Sequence, residues 1–422
     1  MGLNIIIVGS GLAGLAAAAF LRKQHTVTLL EKSKLDFERN DYGISVIANA
    51  YSLLQKAGID DTQLNMAVMT KLWQRTAQNE EIVTAEFDTR KTFGVPSVLT
   101  KRSHLQQELH RLATSPDLEG QPAKIIEGIK VETVDANTGT VHTTDGTSFS
   151  GDLLIGADGI NSFVRAAVLS SDGKADHEAP ATGHDLLAYM AQIPTSILSA
   201  SPSLSFLADP ANSAGLVNFS SPRGRTDKLR ILGYHTSPRE FQLVGYAPED
   251  EFAAQFDELG TSIIKGVSAS RAKQAFSEFS PALSDFFDHH RSGDGTVEVW
   301  RIRDLDPLPR WSLGKTLLIG DSCHAVTPHA GQGCNIAFED AEALGHVLQD
   351  VKDQTGLKSA IDRFLQIRKE RAEFVARSSR HMGALLGPDA GPFDEGKRKE
   401  FGMKTYSYRG AKQALEQLES TA

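Results

Sequence analysis

Asn4-Ile5-Ile6-Ile7-Val8-Gly9-Ser10-Gly11-Leu12-Ala13-Gly14 is the stretch that decides the fold. Residues 4–8 read as a short, almost wholly apolar strand. Lack of alternation is expected where a parallel strand is covered on both faces. The glycines that follow fit G-x-G-x-x-G. That spacing permits a tight turn, close approach of backbone to a pyrophosphate, and close helix–strand packing. Leu15 to Arg22 is rich in Ala and Leu and predicts a helix. The N-terminus of such a helix offers N–H groups and a positive dipole end to phosphate. Thr26 to Glu31 predicts a second strand and completes a βαβ unit. Glu31 stands seventeen residues past Gly14, where an acidic side chain can accept hydrogen bonds from ribose hydroxyls. The pattern predicts a dinucleotide site without saying which dinucleotide.

Working outward, Tyr51 to Ala57 predicts a helix closed by Gly58. Arg102 to Leu112 predicts another, with Leu105, Leu109 and Leu112 on one face. Short alternating strands run from Lys124 to Phe149, with Asp145-Gly146 as a hairpin turn. A buried strand at Asp152–Ile155 enters Gly156-Ala157-Asp158-Gly159. Residues 177–295 have a different texture: strand patterns at Leu186–Ile193 and Leu229–Tyr234, then a helical stretch around Arg271–Phe287. No glycine-rich nucleotide turn occurs there. Residues 315–320 return to a buried strand, followed by a helix from about Cys334 to Val351. The tail from about 356 to 422 reads as helical, with a Gly/Pro-rich break at Gly387–Pro392.

Composition narrows the function classes. The 422 residues exceed one typical domain of about 100–200. A net charge of -9 argues against a nucleic-acid footprint, which needs clustered Lys and Arg. The runs Arg301–Arg303 and Lys397–Lys399 read as solvated faces. Two cysteines, Cys323 and Cys334, are too few for a disulfide framework, imply a reducing compartment, and read as packed thiols. The apolar stretch Leu3–Leu21 is interrupted by glycines, and Met1–Asn4 has no basic residue, so neither a signal peptide nor a membrane span is expected. The expectation is a soluble cytoplasmic protein with no nucleic acid, no membrane span and no metal site.

Two further motifs are Gly156-Ala157-Asp158-Gly159-Ile160-Asn161-Ser162-Phe163-Val164-Arg165 and Gly320-Asp321-Ser322-Cys323-His324 through Glu339-Asp340-Ala341. With the N-terminal glycine turn they resemble, in order and spacing, the three fingerprints of the group A flavoprotein monooxygenases, the p-hydroxybenzoate and salicylate hydroxylase family. The resemblance covers about 1–170 and 296–375. It implies an α/β fold: a Rossmann-like FAD-binding domain, an inserted sheet-based substrate domain and a helical C-terminal tail. The FAD-binding segments would be 1–68, 98–176 and 296–375, the substrate domain 69–97 and 177–295, and the helical tail 376–422.

The resemblance also implies residue roles. Gly9, Gly11, Leu12, Ala13 and Gly14 would receive the FAD pyrophosphate, and Glu31 with Lys32 the adenosine end. Arg102, in R-x-x-L-x-x-x-L with Leu105 and Leu109, would pair with the pyrophosphate. Gly320 and Asp321 would meet the ribityl chain. Gly331, Gln332, Gly333, Cys334 and Asn335 open a helix whose positive end would face the flavin's pyrimidine edge and favour its anionic reduced form. Pro328, His329 and Ala330 would line the flavin face, with His329 either a substrate contact or a packed loop residue. Gly43 and Ile44 resemble the family's pair near the flavin, with Arg39 just before them. Asp41 departs from the family, in which many relatives have glycine there. Asp158 and Gly159, with Arg165, belong to the second fingerprint, and Asp158 reads as tying its loop to nearby backbone.

The activity implied is an FAD-dependent monooxygenase with non-covalent FAD and NADH or NADPH as co-substrate. It would hydroxylate or epoxidise an aromatic or other electron-rich small molecule with O2 through a flavin C4a-hydroperoxide. The dry pocket such chemistry needs and a base for a phenolic substrate fall in the middle region, where Tyr189, Tyr234 and His235 are candidates beside His329. Trp300-Arg301-Ile302-Arg303 does not match the W-x-W-x-I-P of flavin halogenases. Baeyer–Villiger oxygenation, a reductase, and a flavin-binding redox sensor without turnover are the alternatives.

Overall fold

The computed structural model describes residues 2–39, 41–170, 181–209, 215–223, 228–249, 252–384 and 395–421. The N-terminal unit forms as the glycine pattern predicts. Strand Asn4–Val8 runs parallel to Thr26–Glu31 on one side and to Leu153–Gly156 on the other. Being central, it is covered on both faces, and Ile5 and Ile7 are fully buried. Lys124–Glu127 and Thr316–Leu318 extend the parallel sheet, and Ser312–Leu313 closes one edge as an antiparallel strand. Helix Leu12–Leu21 follows the first strand, packed so tightly that a Cβ on Gly14 would lie 2.0 Å from the Gly9 carbonyl oxygen. Its alanines leave room for helix Gly333–Leu348 to lie alongside.

The second core is an eight-stranded sheet. Its order is 263–268, 296–304, 182–194, 240–248, 230–237, 215–220, 71–75, 81–86, antiparallel except where Gly215–Ser220 runs parallel to Lys71–Arg75. One face is sealed by aromatic residues from the segments between its later strands, including Phe276 and Phe287 stacked at 5.3 Å. Strand Thr296–Asp304, which the sequence reading groups with the FAD-binding segments, is hydrogen-bonded within this sheet. The helical stretch expected at Arg271–Phe287 is not continuous. Helix Ala269–Ala275 stops, and Pro281, which suits a first helical turn, starts a new one at Pro281–Ser284. A small sheet of Gly43–Val46, Ser97–Lys101 and Ala67–Met69 joins the two cores.

Helix Gln354–Ala384 leads into helices Glu395–Tyr406 and Ala411–Thr421. The break expected at 387–392 and the boundary at 176/177 lie outside the described residues. Among the described residues, no helix is long and apolar enough to cross a membrane.

Candidate active site

A cleft of about 3080 Å³, open to solvent on one side, lies between the two cores. Gly11, Leu12 and Ala13 border it at the start of their helix, and Gly331 to Cys334 border it at the start of helix Gly333–Leu348. Two helix N-termini, each with unsatisfied N–H groups, therefore meet one space. The Gly11 position is open, with no atom within 4 Å of where a Cβ would sit, and Gly159 is likewise bare. Arg102 lines the same cavity, its backbone N–H donating to the Tyr42 carbonyl. Asp321 lines it too and is exposed to the cavity. Loss of bulk water around it raises the Asp321 carboxyl above its ordinary value. Among the described residues, neither the Arg102 guanidinium nor the Asp321 carboxylate has a hydrogen-bonding or ion-pair partner. A bare helix start, an unpaired cation and an unpaired acceptor fit a dinucleotide with its pyrophosphate and hydroxyls.

Comparison with known proteins agrees. The family model described as "FAD binding domain" matches residues 3–207 and 296–379. The chain belongs to that family. It is 29% identical over 385 residues to hispidin-3-hydroxylase of Neonothopanus nambi, covering 89% of this chain and 87% of that one. It is 27% identical over 388 residues to 6-hydroxynicotinate 3-monooxygenase of Pseudomonas fluorescens, covering 89% and 90%. A solved salicylate hydroxylase substrate complex shares the fold, with a TM-score of 0.76 at 20% identity over 98% of this chain and 97% of that one. The family resemblance expected from the three motifs is borne out, and the chain is a flavoprotein monooxygenase.

Several motif residues of the monooxygenase are held by its own backbone. The Glu31 carboxylate accepts from Ser10 N (3.0 Å), Ser10 Oγ (2.7 Å) and Ser33 N (3.1 Å), fixing the glycine turn. A carboxylate has about four lone-pair sites, so one remains for a hydroxyl. Asp158 accepts from the Ser162 hydroxyl and from Phe163 N and Val164 N, capping the helix that follows. Arg165 donates to the Ile160 carbonyl (2.7 Å) and the Ser322 carbonyl (3.2 Å), clamping the second motif to the third. Asn335 is fully buried and bonds Ser45 O, Gly331 O and Ile47 N. Gln332 accepts from Asn49, and the Cys334 thiol faces Ser45 O and is pushed up to about 12 by burial. Asp340 accepts from Gly320 N, His324 and the buried Arg368, holding the turn that presents Asp321.

Lys32, Gly43, Ile44 and Pro328 line the cavity. Arg39 does not; it sits exposed on a surface turn. Asp41 keeps its loop in place by accepting from Ser103 N (2.9 Å), so the departure from glycine caps helix Arg102–Thr114.

The middle-region candidates divide by sheet face. Residues two apart share a face. Arg230, Leu232 and Tyr234 face the cavity, whereas Ile231 and His235 face the sealed core. His235 is therefore no site residue: its Nε2 is 2.6 Å from the Leu207 carbonyl and its ring packs on Phe241. Tyr189 is on that same sealed side, edge-on to Phe276. Tyr234 does reach the cleft, but its hydroxyl donates to the Gly43 carbonyl at 2.7 Å, and burial pushes its phenol up. It holds the Gly43 strand, where a Cβ would lie 2.6 Å from Tyr234 Cε2.

His329 is a cavity residue with an unexpected partner. Arg230 Nη2 donates to His329 Nδ1 at 2.7 Å, and the Arg230 guanidinium lies 4.2 Å over the Tyr246 ring. A histidine that accepts on Nδ1 carries its proton on Nε2. That atom faces Gly383, where a Cβ would be 2.6 Å away. Burial and then Arg230 lower the His329 imidazole well below its ordinary value, so it stays neutral. Among the described residues, no carboxylate pairs with Arg230. The sequence reading missed Arg230. An arginine in step with Leu232 and Tyr234 on an alternating strand was the available signal.

Proposed function

We propose that this monooxygenase uses NADH or NADPH and molecular oxygen to hydroxylate a phenolic or other electron-rich aromatic ring. The observation that carries it is Arg230, a buried guanidinium without a carboxylate partner, facing the cavity beside Pro328–Gly333. The relatives named as hydroxylases and monooxygenases support the same reaction class. The chemistry supplied by FAD when bound is acceptance of hydride from nicotinamide and activation of oxygen. Gly11 and the helix start behind it would receive the pyrophosphate, with Arg102 as its counter-charge. Asp321 would accept from ribityl hydroxyls, and Glu31 from a ribose hydroxyl.

The other roles belong to the chain's own side chains. The N-terminus of helix Gly333–Leu348 would favour negative charge on a group bound in front of it. Arg230 orients an anionic group of the substrate, or lowers the pKa of a phenol against it. His329 acts through Arg230, whose fork it fixes, rather than as the base. Leu216, Leu232, Val244 and Met190 wall the chamber with apolar surface and exclude water. A redox sensor or simple reductase would leave this chamber without a role. The low cysteine count supports a reducing compartment, and we propose the cytoplasm.

The test uses the purified yellow holoprotein. Phenols added to it should accelerate NAD(P)H oxidation and yield a product heavier by one oxygen atom. Oxidation that no aromatic compound stimulates, with no product formed, would refute the reading.

A further inference from the structure

The cavity does not end at Arg230 and His329. Strand register carries one row of side chains across the sheet: Val244 opposite Leu232, Leu232 opposite Asn218, Asn218 opposite Gln74, and Gln74 opposite Val83. All five line the same cavity. At about 4.8 Å per strand step, the row is about 19 Å long. Met382, Phe401 and Tyr406 of the C-terminal helices line it as well. The floor is apolar at Val244 and Leu232, polar at Asn218 and Gln74, and apolar again at the exposed Val83. Asn218 Nδ2 donates to Gln74 Oε1 at 2.8 Å. Each amide keeps one polar group, the Asn218 oxygen and the Gln74 nitrogen, with no partner among the described residues. Sites for drug-sized ligands measure about 300–1,000 Å³. A cavity of about 3080 Å³ holds a dinucleotide and a single ring with space left over.

We propose that the strip from Leu232 to Val83 is a second substrate subsite, and that the substrate is an elongated aromatic of at least two linked rings. The reacting ring lies beside Arg230 and His329. The far ring covers the strip and carries a hydroxyl or carbonyl group to Asn218 and Gln74. The proposal rests on the hydroxylase reading above, because it takes the chamber beside Arg230 as the site of reaction.

The test is binding to the oxidised holoprotein, read from the flavin absorbance change without turnover. The probes are phenol, 4-hydroxybiphenyl and 4,4′-dihydroxybiphenyl. Burial of a second ring should lower Kd by about tenfold or more between phenol and 4-hydroxybiphenyl, and the second hydroxyl should lower it further. Asn218→Trp, which fills the strip, should shrink the ratio of the phenol Kd to the 4-hydroxybiphenyl Kd from about tenfold or more to about one. Asn218→Leu, which keeps the volume, should remove only the gain from the second hydroxyl. Equal affinities for phenol and 4-hydroxybiphenyl, or biphenyl affinity unmoved in Asn218→Trp, would overturn the proposal. Tight biphenyl binding without any oxygenation would break the hydroxylase reading and leave the subsite standing. Oxygenation of phenol with no preference for biphenyls would do the reverse.

Discussion

The two faces of the eight-stranded sheet are built from alternate residues of the same strands, yet they do opposite work. One face buries Ile231, Phe241 and Leu243 under a lid of aromatic side chains, and its one imidazole among these strands, His235, is spent on a backbone carbonyl. The other carries Arg230, Leu232, Tyr234 and Tyr246 into a large cavity. The sealed face is almost wholly apolar, and its His235 is turned to protein by the contact of Nε2 with the Leu207 carbonyl. The open face keeps a buried cation without a carboxylate and a pair of amides with polar groups to spare. A charge kept in a buried place without a counter-charge costs stability, and Arg230 is kept where the cavity can admit one.

The contrast breaks first at the sealed face. Phe287→Ala removes a fully buried ring stacked on Phe276 and should cost about 3–5 kcal/mol of stability. The folded fraction should keep its kcat/KM, which urea unfolding and steady-state assays read side by side. A loss of kcat/KM in correctly folded protein would mean the faces are coupled.

Arg230→Leu is the converse. It should lower kcat/KM for a phenolic or acidic substrate by roughly 1.5–3 kcal/mol, the worth of a charged hydrogen bond. Stability should change little, because relief from burying the charge is offset by loss of its hydrogen bond to His329 and its stacking on Tyr246. A fall in melting temperature with unchanged kinetics would make Arg230 a structural residue.

A smaller effect sharpens the same face. The His329 imidazole is lowered in the folded protein by burial, then by Arg230, relative to about 6.5 when unfolded. The unfolded chain then binds more protons below about pH 6.5, so this histidine's contribution to stability is present above that pH and lost as pH falls. His329→Gln keeps a hydrogen-bond acceptor but cannot titrate. Its melting temperature should fall less steeply than that of the wild type between about pH 6.5 and 5. Parallel profiles would show that His329 is not depressed.

Much of the cofactor half was legible in the sequence because glycine spacing encodes backbone conformation directly. Gly9, Gly11, Gly14 and Gly320 stand where the motifs put them. Asp158 braces its own loop, as its motif implied, but the motifs could not show that Arg165 and Asn335 also brace the site, through contacts far apart in sequence. The substrate half was legible as strands but not as a site. Alternation says that Arg230 and His235 lie on opposite faces without saying which face meets the cofactor, and a histidine draws attention that an arginine among leucines does not. Arg39 failed for a different reason, since proximity in sequence to Gly43 does not survive the intervening turn.

Turnover under oxygen-18 gas tests the central claim most directly, with product mass and NAD(P)H consumption measured together on the holoprotein and its best aromatic substrate. The account predicts one labelled oxygen atom in the product for each NAD(P)H oxidised. Product whose added oxygen comes from water, or product formed without oxygen, would contradict it.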